Sequence, residues 1–262
     1  VIIVGDARNT GLPDRSVDLV VTSPPYFGLR TYGALGEIGG EDTPAEYVKA
    51  MVEVLDEMRR VLKPDGSVFL VIGDKYARTG GVDKKIRGTG DDPGGRAHGR
   101  PVQRGVTGVK DGSLVGLPFR VALAAVDAGW VWRQEIVWRK PNPLPESVRN
   151  RCQRAHETIL HLSLTNRPYS RVTQRGGELG HDVWDYAVAG YKDPAGRKHP
   201  AVFPEPLVER VITDYCPPGG TVLDPFAGSG TTLAVASRLG HTWCGIELNP
   251  EYAAIAHTRV YG

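Results

Sequence analysis

Two stretches of the chain carry residue types that chemistry needs, at spacings that matter. TVLDPFAGSGTT at 221–232 reads as a strand ending in Asp224, a turn through Gly228 and Gly230, and the opening of a helix. Glycine in such a turn lets backbone approach a ligand closely, and the exposed helix N-terminus offers unpaired N–H donors. TWCGIELN at 242–249 is a second strand, ending in Glu247, which is placed to accept hydrogen bonds from ribose hydroxyls. The other stretch, TSPPY at 22–26, closes the apolar run VDLVV at 17–21. Pro24 and Pro25 have no N–H and a fixed φ, so they stiffen the exit from the strand and hold Ser23 and Tyr26 at a rigid turn.

These residues need a sheet to position them. VIIV (1–4), VDLVVT (17–22), SVFLVIG (67–73), WVWRQEIVW (130–138), TILHLSL (158–164), TVLD (221–224) and TWCGIE (242–247) read as seven strands from their β-branched and aromatic content. Helical patterns lie between several of them. The longest runs from Thr43 as N-cap, with Pro44 first and Glu46 completing a capping box, to a stop at KPDG (63–66). Others follow at 117–129, 204–215, 231–240 and 249–260. The alternation predicts a Rossmann-like, mostly parallel α/β sheet covered on both faces, in one domain spanning 1–262.

The nucleotide-type unit lies within forty residues of the C-terminus, although such units normally open the fold. Read as a circle, the strands starting near 221, 242, 1, 17, 67, 130 and 158 form one uninterrupted series with a hairpin-like last pair. The arrangement is thus circularly permuted, with TSPPY terminating the fourth strand beside the ligand. Asp6, at the end of the third, reaches toward an adenine amine. A pyrophosphate ligand is disfavoured because Asp224 would repel it, whereas a cationic amino acid group suits that carboxylate. S-adenosylmethionine combines an ammonium with adenosine: Asp224 and the Gly228–Gly230 backbone fit its methionine end, Glu247 its ribose, and Phe226 an apolar wall.

The net charge of +2 conceals an uneven distribution. Residues 75–110 hold nine Lys/Arg against three Asp, and residues 139–175 hold eight against two Glu. A basic face on a near-neutral protein implies a polyanionic partner. The Gly- and Arg-rich segment 77–112 is too long for a passive connection and is expected to be a functional loop; 165–198 is expected to form a small polar lobe. Cys152, Cys216 and Cys244 are odd in number and widely spaced, supporting neither a disulfide framework nor a zinc site. No metal is expected. The N-terminus lacks the features of a secretion signal and no apolar run spans a membrane, so a cytoplasmic protein is expected.

TSPPYFGLR, VWRKPNPLPES with RAHETIL (137–160), KHPAVFPEPL (198–207), DPFAGSGTT and GIELNPEY, in this order over nearly the whole chain, resemble the DNA amino-methyltransferases of the β arrangement. The resemblance implies a prokaryotic or phage restriction-modification enzyme that transfers a methyl from S-adenosylmethionine to the exocyclic amine of a flipped-out base. A homodimer is the candidate assembly. Such an amine is conjugated with its ring and nucleophilic only when its hydrogens are held by acceptors; the Ser23 hydroxyl and Pro24 carbonyl are those acceptors, and Tyr26, with Phe27, offers the base a face. The cofactor set extends to Ala227, Ser229 and Asn249, and to His199, Phe203 and Pro204 as a loop over the methionine end; His199 as a helix cap is the competing reading. Cytosine C5 chemistry needs a thiolate, and none of the cysteines sits in a comparable turn. In the resembled family Ser at the first motif position accompanies cytosine N4 more often and Asp adenine N6, so Ser23 favours N4-methylcytosine. Adenine N6, an RNA or small-amine substrate, and a non-catalytic DNA-binding protein are the alternatives. DNA contacts are expected from Lys84, Lys85, Arg87, Arg96, Arg100 and Arg104, and from Arg149, Arg151 and Arg154. His156 and Glu157 read as sheet partners at least as readily as ligands, and Trp130, Trp132 and Trp138 as core.

Overall fold

The computed structural model describes residues 1–29, 36–77, 108–143, 145–146, 149–172, 180–192 and 198–262. Strand β2 (Val17–Thr22) is buried along its whole length, and its side chains divide between two cores: Val17 and Val20 face one, Leu19 and Val21 the other. β3 (Leu62–Ile72) does the same, with Val68, Leu70 and Ile72 opposed to Phe69 and Val71. That continuous apolarity is what a strand covered on both faces requires.

Helix α1 (Pro44–Val61) begins as its sequence dictates. The Glu46 amide donates to Thr43 Oγ1 at 3.2 Å, and the Thr43 amide donates back to Glu46 Oε2 at 3.0 Å. Tyr47, Met51, Val54, Leu55 and Met58 form its buried stripe. The helix ends at Val61, and Leu62 already belongs to β3. KPDG, expected only as a stop, therefore lies inside the strand. Pro64 pushes its predecessor toward extended backbone, and the register jumps from Val17↔Leu62 to Leu19↔Ser67, so the extra residues bulge out.

With α2 (Leu117–Asp127), α1 covers one face; α3 (Glu205–Tyr215) and α4 (Thr231–Arg238) cover the other. The other strands of this sheet are β1 (Ile2–Val4), β4 (Val131–Arg139), β5 (His156–Ser163), β6 (Val183–Asp185), β9 (Thr221–Asp224) and β10 (Thr242–Glu247). The sheet order is β1-β10-β9-β2-β3-β5-β4-β6, and β5 alone runs against its neighbours. β1 pairs in parallel with β10, so strands from opposite ends of the sequence are neighbours in the sheet. The expected last pair is present as antiparallel β4 and β5, with β5 inserted between β3 and β4.

Segment 165–198 is more than a lobe, because it contributes β6 as an eighth strand. Only Trp184 of that strand is buried, beneath the Arg210 guanidinium at 4.1 Å, so no apolar run announced it. The stretch from His199 to Val202, expected within a loop, lies in strand β8 (Lys198–Val202), paired antiparallel with β7 (Ala189–Lys192). Trp130 is buried in one core and Trp138 in the other, and the partly buried Trp132 packs against the core that holds Trp130. Among the described residues no helix is long and apolar enough to cross a membrane.

Candidate active site

The sheet order changes direction between β9 and β2: β10 and β1 continue on one side, β3 on the other. Ligands of open α/β sheets bind at the carboxyl ends of strands at such a point. A cleft of about 470 Å³ opens there, and its lining includes Ser23, Pro24, Pro25 and Tyr26 together with Asp6, Asp224, Phe226, Gly228 and Glu247. The two motifs touch directly, as Thr22 Oγ1 donates to Asp224 Oδ1 at 2.6 Å.

The glycine turn is held from below. Glu247 accepts from the Gly228 amide at 2.8 Å through Oε2 and from the Asn249 amide at 2.9 Å through Oε1. Gly230 has φ 79°, and a Cβ there would lie 3.0 Å from the Ala256 Cβ, so this position joins a left-handed turn to a close approach by helix α5 (Pro250–Tyr261). Ser229 is buried and its Oγ accepts from Arg259 at 3.3 Å, Ala227 lines the cleft, and Asn249 caps α5 by accepting from the Glu251 amide at 2.8 Å. Asp224 is buried, and burial pushes its pKa up to about 6 against the opposing hydrogen bonds from Thr22, Thr232 and the Phe226 amide. Burial also raises Glu247, whereas hydrogen bonding from Arg8 lowers Asp6. Asp6 is gripped by the Arg8 guanidinium through both oxygens, at 2.9 and 2.6 Å.

The TSPPY turn is equally constrained. The Pro25 carbonyl accepts from Tyr47 Oη at 3.1 Å. Tyr26 Oη donates to Glu157 Oε2 at 2.6 Å, and Ser23 Oγ donates to Tyr26 Oη at 3.3 Å. Lys140 Nζ donates to the other oxygen of Glu157 and lies 4.6 Å from the centroid of the Trp138 ring. Burial, and then the Glu157 charge, raise the Tyr26 pKa well above that of an ordinary phenol. The ring of Tyr26 packs on Gly73, where a Cβ would come within 2.5 Å of Cε2.

Several sequence expectations change. Phe27 is buried against Tyr47, with ring centroids 5.8 Å apart, so it is core and offers no face to a base. Glu157, read as a sheet partner, lines the cleft and binds the TSPPY tyrosine; it stood inside RAHETIL, but its partner is 131 residues away. Lys140 and Asp74 also line the cleft unforeseen; Asp74 accepts from the Gly116 and Leu117 amides at 3.0 and 3.1 Å and so tethers the start of α2. Phe203 lines the cleft, and Pro204 is the N-cap residue of α3. His199 pairs with Tyr191 across the β7–β8 ribbon. Arg149 is exposed, Arg151 pairs with Glu146 at 2.8 Å and covers the Tyr76 ring at 3.7 Å, and Arg154 faces the cleft 3.9 Å from Asp74. Lys84, Lys85, Arg87, Arg96, Arg100 and Arg104 lie outside the described residues.

The lining of the cleft includes three carboxylates, Asp6, Asp224 and Glu247, and the aromatic rings of Phe203 and Phe226. Those residues fit S-adenosylmethionine, whose ammonium, sulfonium and ribose hydroxyls suit carboxylates and whose adenine suits apolar walls. A phosphate-bearing cofactor would be repelled by the same carboxylates.

Residues 17–258 match the family described as DNA methylase. The Type II methyltransferase M.SmaI of Serratia marcescens is 41% identical, covering 99% of this chain and 90% of its own. M.Cfr9I of Citrobacter freundii is 38% identical, covering 98% and 86%. Among solved structures, the PvuII DNA methyltransferase (cytosine-N4-specific) aligns with TM-score 0.76 at 25% identity, over 100% of this chain and 86% of that one. A putative DNA modification methylase from Thermus thermophilus, complexed with S-adenosyl-L-methionine, aligns with TM-score 0.64 at 26% identity, over 100% and 94%. On a match of this extent, converging with the chemistry of the cleft, the chain belongs to the N6/N4 DNA methylase family and is a site-specific DNA methyltransferase that uses S-adenosylmethionine.

Proposed function

We propose that the enzyme methylates the exocyclic N4 amine of a cytosine flipped out of duplex DNA. The observation that carries this reading is Ser23 at the head of a Ser-Pro-Pro-Tyr turn that Thr22 ties to Asp224 at 2.6 Å. The cytosine-N4 specificity named for the PvuII enzyme supports the choice of base.

Asp6, Asp224, Phe226, Glu247 and the Ala227–Gly230 backbone would hold S-adenosylmethionine, with Asn249 and Phe203 beside them and His199 and Pro204 on the segment leading to α3. When bound, the cofactor supplies an electrophilic methyl group on a sulfonium. The chain's own task is to aim the amine. Ser23 Oγ and the Pro24 carbonyl accept its two hydrogens, which leaves the nitrogen lone pair directed along the cleft; positioning and fixed dipoles supply most of the rate. Pro24 and Pro25 keep those acceptors from turning away. Tyr26 supplies the face against which the base rests. Arg149, Arg151 and Arg154, with the basic residues of 84–104, neutralise phosphates around the extruded base.

Incubation with labelled S-adenosylmethionine and unmethylated genomic DNA, followed by digestion to nucleosides and mass analysis, tests the reading. N4-methylcytidine is expected in its deoxy form. N6-methyldeoxyadenosine as the product would overturn the choice of base, and absence of any methylated nucleoside would overturn the catalytic reading.

A further inference from the structure

We propose that Glu157, steadied by Lys140, is a positioning residue that sets the polarity of the hydrogen bonds reaching Ser23 and thereby turns the Ser23 oxygen into an acceptor for the target amine. This rests on the proposed reading of Ser23.

A hydroxyl donates once and accepts through its remaining lone pairs, whereas an ionised carboxylate only accepts. Glu157 forms an ion pair with Lys140 and receives the Tyr26 hydroxyl at 2.6 Å, a short, charge-assisted bond. The Tyr26 proton is thus committed to Glu157, and its oxygen is left as an acceptor. Ser23 Oγ lies 3.3 Å away and donates to that oxygen. This contact is long for a pair of hydroxyls, of the kind that tightens when substrate arrives. With the Ser23 proton directed at Tyr26, the Ser23 lone pairs face the cleft, and an N–H of the substrate amine finds an acceptor.

Reversal would be costly. If Tyr26 donated to Ser23, the Ser23 proton would point into the cleft and meet another donor, an amine hydrogen. The chain Lys140, Glu157, Tyr26, Ser23 therefore runs one way only, and its direction is fixed at the end remote from the reacting atoms. The link is tertiary: Tyr26 follows β2 while Glu157 is at the start of β5, and Lys140 immediately follows β4. Lys140 and Glu157 are only 18% and 16% exposed, so water competes weakly for the pair.

The experiment compares the full-length enzyme with E157Q, E157D, Y26F and E157Q/Y26F, measuring single-turnover methyl transfer to unmethylated genomic DNA, the Kd for S-adenosylmethionine, the Kd for DNA and thermal melting. Glutamine keeps the shape of glutamate, and with its carbonyl oxygen turned to the Lys140 ammonium it would present its NH2 donor to Tyr26, so E157Q is expected to lose about 100-fold in the transfer rate with both Kd values unchanged. E157D, which remains an acceptor, should retain more rate than E157Q although it fits less well. In the Y26F background E157Q should cost nothing further, since the relay is already cut. A purely structural Glu157 predicts the opposite order, with glutamine the milder change. Transfer by E157Q within twofold of wild type, a full extra loss in the double variant, or a loss that appears as weaker cofactor or DNA binding would each overturn the proposal. The nucleoside digest of the same reactions reports separately on the base: N6-methyldeoxyadenosine would remove the cytosine reading, while the ratio of rates among variants still judges the relay.

Discussion

Replacing Gly73 by alanine should cripple methyl transfer without disturbing the cofactor. Gly73 follows β3 and its backbone is outside the left-handed region, so alanine is acceptable to the main chain. Its methyl is not acceptable to Tyr26: the added carbon would lie 2.5 Å from Cε2, 2.8 Å from Cδ2 and 3.2 Å from Cζ. Carbon atoms settle at about 3.5–4.0 Å, so the ring has to retreat by about 1 Å. A retreat of that size takes the hydroxyl from its 2.6 Å bond with Glu157 to beyond hydrogen-bond reach. Misplacement by about 1 Å costs on the order of 100-fold in rate, and the overpacking itself costs about 1–3 kcal/mol of stability. Rapid-quench transfer of a labelled methyl group under single-turnover conditions, with calorimetric titration of S-adenosylmethionine and a thermal melt, measures all three quantities. The reasoning fails if G73A transfers methyl within threefold of wild type, or if the lost rate is matched by lost cofactor affinity.

Other consequences can be checked alongside. S23A should lower the single-turnover rate by about 100-fold and leave the Kd for S-adenosylmethionine unchanged, because it removes one acceptor and no part of the glycine turn. Asp224 has an ordinary pKa of 3.8 and is held at about 6, so the folded state binds its proton more tightly than the unfolded chain does; stability falls as pH rises from about 4 to about 6 and stays lower above. The ionised carboxylate then costs on the order of 3 kcal/mol, so D224N should melt higher than wild type at pH 8 while binding S-adenosylmethionine at least about 10-fold more weakly. For the wild type, cofactor affinity should rise with pH through about 6 and then level off, and a titration of Kd against pH tests that sign. G245A should lower the melting temperature, since its Cβ would meet Leu233 Cδ1 at 2.5 Å and the Ala227 Cβ at 3.0 Å; a cost of about 1–3 kcal/mol is expected in a denaturant titration.

Much of this molecule was legible before folding because its signals are local. Strands β2, β3, β9 and β10 are apolar runs, Thr43 and Glu46 mark the start of α1 within four residues, and the glycine turn lies close to Glu247 along the chain. Where the local signal was thin, the reading failed: β6 buries Trp184 alone, and β3 continues through a proline and a glycine because a bulge absorbs them. Phe27 looked like a second platform because it follows Tyr26, yet alternate packing sends it into the core.

The sequence by itself determined the family, the glycine turn after Asp224 and the TSPPY turn, since each is specified by residues that neighbour one another along the chain. The tertiary structure decided what those pieces touch. Thr22 meets Asp224 across 202 residues because β2 lies beside β9, and Tyr26 meets Glu157 across 131 because β5 inserts next to β3. Residue type restricts which hydrogen bonds a side chain is able to make, but the partner and the direction are chosen by the order of strands in the sheet, and no local pattern encodes that order.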